Sequence, residues 1–75
     1  MSEEVVRAPF AGYATLAVRA GDQVTAGDQL AVVEAVKLEA AIRSPTSGHV
    51  RVAMPDPHGQ VEGGQTLLWV VNDRV

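Results

Sequence analysis

The sequence contains no cysteine, one lysine, and a single residue each of tryptophan, tyrosine and phenylalanine. Without cysteine there is no disulfide to staple the chain and no thiolate to bind a metal, and the absence suits a reducing compartment. Basic residues are scarce: six Lys and Arg stand against nine Asp and Glu, for a formal net charge of −3. Nucleic-acid binding needs a basic stripe with stacking aromatics, so an oligonucleotide-binding barrel would have the wrong sign here. No apolar run approaches the roughly 20 residues of a membrane span. The acidic start Met1-Ser2-Glu3-Glu4 has no apolar stretch of the secretory kind. The expectation is a soluble, cytoplasmic protein that binds neither nucleic acid nor membrane. Its 75 residues read as a single domain, 1–75, with a small core and marginal stability.

What the chain does have is an internal repeat. Ala8-Pro9-Phe10-Ala11-Gly12 resembles Ser44-Pro45-Thr46-Ser47-Gly48 at an offset of 36 (Gly12 to Gly48). Further on, Gln23-Val24 matches Gln60-Val61, Gly27 matches Gly64, Leu30 matches Leu67 and Val33 matches Val70, at an offset of 37 (Gln23 to Gln60). The extra residue falls in 53–59. Two copies are too few for a solenoid. They imply two halves, about 6–37 and 38–75, each burying the apolar face of the other.

The units read as strands. Tyr13–Val18, Leu30–Val33, His49–Val52 and Leu67–Val71 are short apolar or β-branched runs, separated by Gly-Asp and Gly-Gly turn signals. Such spacing points to a sandwich or barrel of short strands. One stretch resists. Val33 to Arg43 is rich in helix formers, places Glu39 and Arg43 at a helical i,i+4 spacing, and holds no Gly, Asn or Asp to mark a hairpin. Propensity alone makes it a helix.

The lone lysine, Lys37, lies in that stretch, in Glu34-Ala35-Val36-Lys37-Leu38-Glu39, and the other five bases are Arg7, Arg19, Arg43, Arg51 and Arg74. A guanidinium stays charged, whereas a primary amine can lose its proton and be acylated. Besides the α-amino group, Lys37 is thus the one place where an amide to a carboxylic acid can form. Other chemistry has little support. His49 and His58 lie nine positions apart with no third ligand in view. No Ser-His-Asp set, carboxylate pair or phosphate-binding glycine loop stands out. Trp69 and Val70 read as core, and Phe10 and Tyr13 as packing residues.

Taken in order, the Ala-Pro-x-x-Gly motif at 8–12, Gly-Asp-Gln-Val-x-x-Gly-Asp-Gln-Leu at 21–30, Glu-Ala-Val-Lys-Leu-Glu at 34–39, Ile42-Arg43-Ser44-Pro45, Gly48-His49-Val50 and Gln-Val-x-x-Gly-x-x-Leu at 60–67 resemble the biotinyl/lipoyl attachment domain family. The resemblance runs from about Val6 to Val71 and matches the short form, with no thumb inserted before Gly21. It implies an all-β, flattened β-barrel sandwich of two pseudo-twofold halves. The modifiable lysine would project from a hairpin tip, with the termini at the other end. The helix-like stretch is then a hairpin, by tertiary override of propensity.

The resemblance further implies a carrier subunit without an active site of its own, with biotin amide-linked to Lys37 as a swinging arm. Ala35, Val36 and Leu38 would be the motif neighbours. Glu34 and Glu39, together with the Met54–Gly59 loop, would be candidates for recognition by ligase or partner. The implied partners are biotin protein ligase and the biotin carboxylase and carboxyltransferase subunits of an acyl-CoA carboxylase-type complex. The sequence departs from the biotin pattern at both methionines: Ala-Met-Lys-Met is replaced by Ala35-Val36-Lys37-Leu38. Val36 also suits a lipoyl carrier of the glycine-cleavage type, but Leu38 does not, and Ala35, Leu38-Glu39 and Ile42-Arg43 lean towards biotin. Lipoate, in a 2-oxo acid dehydrogenase or glycine-cleavage system, is the first alternative. The second is an unmodified interaction or regulatory module of the same fold.

Overall fold

A computed structural model describes residues 2–72. The described residues form eight strands in order: β1 (Ser2–Arg7), β2 (Gly12–Leu16), β3 (Gln23–Val24), β4 (Gln29–Ala35), β5 (Leu38–Arg43), β6 (Gly48–Val52), β7 (His58–Val61) and β8 (Thr66–Asn72). They make two four-stranded antiparallel sheets, β1-β8-β6-β3 and β5-β4-β2-β7. The architecture is the expected all-β, flattened barrel sandwich. Among the described residues no helix is long and apolar enough to cross a membrane.

The repeat in the sequence is a repeat in space. An offset of 36 or 37 carries β2 onto β6 (Gly12 to Gly48), β4 onto β8 (Gln29 to Thr66), and β3 onto the end of β7 (Gln23 to Gln60). β1 likewise matches β5 (Ser2 to Leu38). The same exchange turns the order of one sheet into the order of the other. The turn chemistry is duplicated too. Thr25 N–H donates to Asp28 Oδ2 (2.8 Å), as Glu62 N–H donates to Gln65 Oε1 (2.9 Å). Gly27 N–H donates to Ser44 O and Ser44 N–H to Asp28 O, both at 2.8 Å. In the other half Gly64 N–H donates to Ala8 O (2.8 Å) and Ala8 N–H to Gln65 O (2.9 Å). Gly27 and Gly64 have φ of 94° and 85°, the left-handed region where a Cβ is costly, so both turns demand glycine.

Two further glycines permit close approach. An alanine Cβ at Gly12 would lie 3.0 Å from the carbonyl carbon of Glu34, and one at Gly48 would lie 2.7 Å from that of Val71; both would be closer still to the carbonyl oxygen. Residues 34 and 71 are again one repeat apart. Each glycine thus lets β2 or β6 pass tightly against the long strand of its own sheet, β4 or β8.

The core is built from matched pairs: Leu30 with Leu67, Val33 with Val70, Ala14 with Val50, and Val24 with Val61, all buried. Met54 joins them. Leu30 is fully buried, so Leu30→Ala should destabilise the fold by about 2–5 kcal/mol. The check is a lower urea midpoint with an unchanged slope.

Trp69 departs from the expectation of a core residue. It sits between the inward-facing Leu68 and Val70 of β8 and therefore faces outward, half-buried. There the Arg51 guanidinium lies 5.2 Å from its ring centroid, and Arg51 also pairs with Glu3. Val70 is in the core as expected.

Candidate functional site

Val33 to Arg43 is the end of β4, a two-residue turn and β5. The turn is Val36-Lys37, closed by the pair Ala35–Leu38. Neither turn residue has a positive φ, so this is not one of the glycine- or asparagine-dependent hairpin turns. The pairing that forms it lies further along, where Ala31, Val33, Ala40 and Ile42 point inward from two adjacent strands. Ala31 and Val33 are fully buried and Ile42 packs on the core. Their burial outweighs the helical preference of the local sequence.

Lys37 is exposed at the tip of this hairpin. Val36 beside it is 97% exposed and Leu38 is 57% exposed. Singly, exposed apolar residues are ordinary; here both stand directly against the one lysine. Ala35 is half-buried under the turn. Glu34 and Glu39 face each other across β4 and β5, one pair below the closing pair. Two like charges directly opposite each other are mildly destabilising in a sheet. Among the described residues neither carboxylate has a counter-ion.

The Met54–Gly59 loop lies elsewhere. Leu16 N–H donates to Pro57 O (2.7 Å), and Thr15 pairs with His58, so the loop packs at the far end of β2 from the hairpin. Met54 is buried in the core, where it also lines an open groove with Leu16, Val18 and Pro55. The structure thus brings Glu34, Ala35, Val36, Leu38 and Glu39 together around Lys37, while the Met54–Gly59 loop reaches that end only through the contact of His58 with Tyr13.

Tyr13 belongs to the hairpin's surroundings, although composition made it a packing residue. It is 44% exposed and pairs with Glu34 on one side and Gln60 on the other. Its OH lies 2.8 Å from His58 Nδ1, and the two rings stack with centroids 6.0 Å apart. The signal was in the alternation: Ala14 and Leu16 face inward, so Tyr13 and Thr15 face out.

These features define a barrel-sandwich domain that presents one amine at the tip of a hairpin. The model of a family described as biotin-requiring enzyme, the biotin/lipoyl attachment family, matches residues 3–70, and the chain belongs to that family. Among solved structures, the chain is similar to a single-chain, multi-domain long-chain acyl-CoA carboxylase, with 28% identity and a TM-score of 0.77. The match covers 95% of this chain and 7% of the carboxylase, so the chain spans a small part of that protein's length.

Proposed function

We propose that Lys37 Nζ carries biotin in amide linkage. In this reading the domain is a biotin carboxyl carrier in the cytoplasm, moving a carboxyl group between biotin carboxylase and carboxyltransferase sites of an acyl-CoA carboxylase-type complex. The observation that carries the reading is that the one lysine of the chain stands exposed at the tip of a two-residue hairpin in a member of this family. Similarity to a piece of an acyl-CoA carboxylase supports the reaction class.

The residues present fit the group. An amine at a free tip can enter a ligase's active site without unfolding anything. Its attack on an activated biotinyl adenylate forms the amide as AMP leaves and the amine gives up a proton. The ligase takes up that proton as the amide forms. Val36 and Leu38 provide apolar contact area beside the amine, and Glu34 and Glu39 an acidic border that suits a basic partner surface. Once attached, biotin supplies the carboxyl-accepting nitrogen, and the protein supplies position. In this reading the domain is a carrier, and the transferred group is handled at the sites of its partners.

The test is the intact mass of the protein after incubation with biotin protein ligase, ATP and biotin, with fragmentation to place the adduct. One biotinyl group on Lys37 is expected. A lipoyl group acquired with lipoate ligase instead would move the domain to a 2-oxo acid dehydrogenase or glycine-cleavage system. An unmodified mass under both conditions would leave an interaction module of the same fold.

A further inference from the structure

The hairpin overhangs a groove that fold and attachment do not require. β2 begins one residue before the Tyr13–Glu34 pair, whereas β4 runs on to Ala35 and the turn beyond it. A step is left under the tip. The resulting open groove, about 440 Å³, is lined by Gly12, Tyr13, Glu34, Gln60, Val61 and Glu62. That volume is in the range of small-molecule sites.

Its polar groups converge. Glu34, Tyr13 and Gln60 are cross-strand neighbours in one row on the outer face of the sheet, each about 4.8 Å from the next. The contact with His58 holds the Tyr13 ring in place. Among the described residues the Glu34 carboxylate and the Gln60 amide have no partner. The row is therefore an aromatic face flanked by a free acceptor and a free amide.

We infer that this groove is a docking site for the ureido end of the biotin carried by the same chain's Lys37, an inference that rests on the carrier reading. A ureido group has two N–H donors and one carbonyl acceptor. One ring N–H can donate to the Glu34 carboxylate in a charge-assisted hydrogen bond, and the Gln60 NH2, on the other side of Tyr13, can donate to the carbonyl. The fused thioether ring suits the Tyr13 face, since sulfur packs well against aromatic rings. A dithiolane has no N–H to offer Glu34, so the groove discriminates against a lipoyl arm. The reach is adequate. Glu34 is three residues from Lys37, at most about 11 Å along the backbone, and an extended lysyl-acyl arm of about ten bonds spans on the order of 12 Å.

The repeat supplies the contrast. The positions equivalent to Glu34 and Tyr13 in the other sheet are Val71 and His49. The fold itself is satisfied by different chemistry there, and that sheet has no lysine beside it. The carboxylate and phenol are features of the lysine-bearing side alone.

The experiment compares unmodified and biotinylated protein for the wild type, Glu34→Gln and Gln60→Ala. Intact mass first establishes that each form is loaded on Lys37. Amide 1H–15N spectra are then recorded before and after loading, and the rate of capture by streptavidin is measured. In the wild type, loading should shift the amides of Tyr13, Glu34 and Gln60 as well as those of the hairpin. The variants should lose those distant shifts and be captured about fivefold faster or more, because capture scales with the undocked fraction. Loaded wild type with shifts confined to 35–38, and equal capture rates throughout, would overturn the docking site and leave the carrier reading intact. Failure of the wild type to load would overturn the attachment, and the docking site with it; if Glu34→Gln alone fails to load, Gln60→Ala carries the comparison.

Discussion

Lys37→Arg should abolish biotinylation completely while leaving the melting temperature within a few degrees of the wild type. Arginine keeps the charge and most of the length, so whatever electrostatic role the side chain plays at the tip is retained. What is lost is the capacity to give up a proton and form an amide. Because the sequence has no second lysine, there is no fallback side chain for the ligase. Loss of streptavidin reactivity should therefore be total. The fold should not respond, because the side chain is exposed in a turn, and surface changes of this kind typically stay within about 0.5 kcal/mol. Intact mass and a thermal scan on the same sample measure both halves of the prediction. Residual biotin on the variant would show that Lys37 is not the acceptor. A drop in melting temperature of 10 °C would make the lysine structural.

The second large effect lies away from the hairpin. Gly48→Ala should destabilise the domain by about 3 kcal/mol or more, since the new methyl group must push backbone rather than a flexible side chain. In a domain of this size each kcal/mol moves the midpoint by roughly 4–8 °C, so a loss of 12 °C or more is expected. Gly12→Ala should act in the same direction through the Glu34 carbonyl. Gly59→Ala is the control, because a Cβ there meets nothing within 4 Å. If all three variants melt together with the wild type, the tight approach of β2 to β4 and of β6 to β8 is not the reason for these glycines. Gly12→Ala would be expected to lower ligase efficiency as well, since Glu34 leads directly into the hairpin.

The Pro-x-x-Gly repeats at 9–12 and 45–48 were visible without coordinates, and so was the offset linking Gly27 to Gly64. The coordinates add the cause: each glycine answers a backbone carbonyl or a left-handed φ at equivalent places in the two halves. The strands β2, β4, β6 and β8 were legible because each is an apolar run. β1, β3 and β7 were not, because their burial patterns show a single inward residue each. A strand that buries one side chain leaves little periodic signal. Trp69 was misplaced for a related reason. Its hydrophobicity suggested the core, but alternation along β8 points it to the surface, where Arg51 covers it.

The sequence by itself determined the chemistry on offer: one lysine amine, an acidic composition, no thiol, and a duplicated pattern of strands and turns. These are properties of residue identity and spacing, which folding does not change. The tertiary structure decided the conformation of Val33 to Arg43. Local preference favours a helix there, and only the burial of Ala31, Val33 and Ile42 against the second sheet makes it a hairpin with Lys37 at its tip. The tertiary structure also placed Tyr13 and Gln60 beside Glu34, residues separated by up to 47 positions (Tyr13 to Gln60). Strand pairing between distant segments created that row. It depends on the register of three strands at once, which no local pattern encodes.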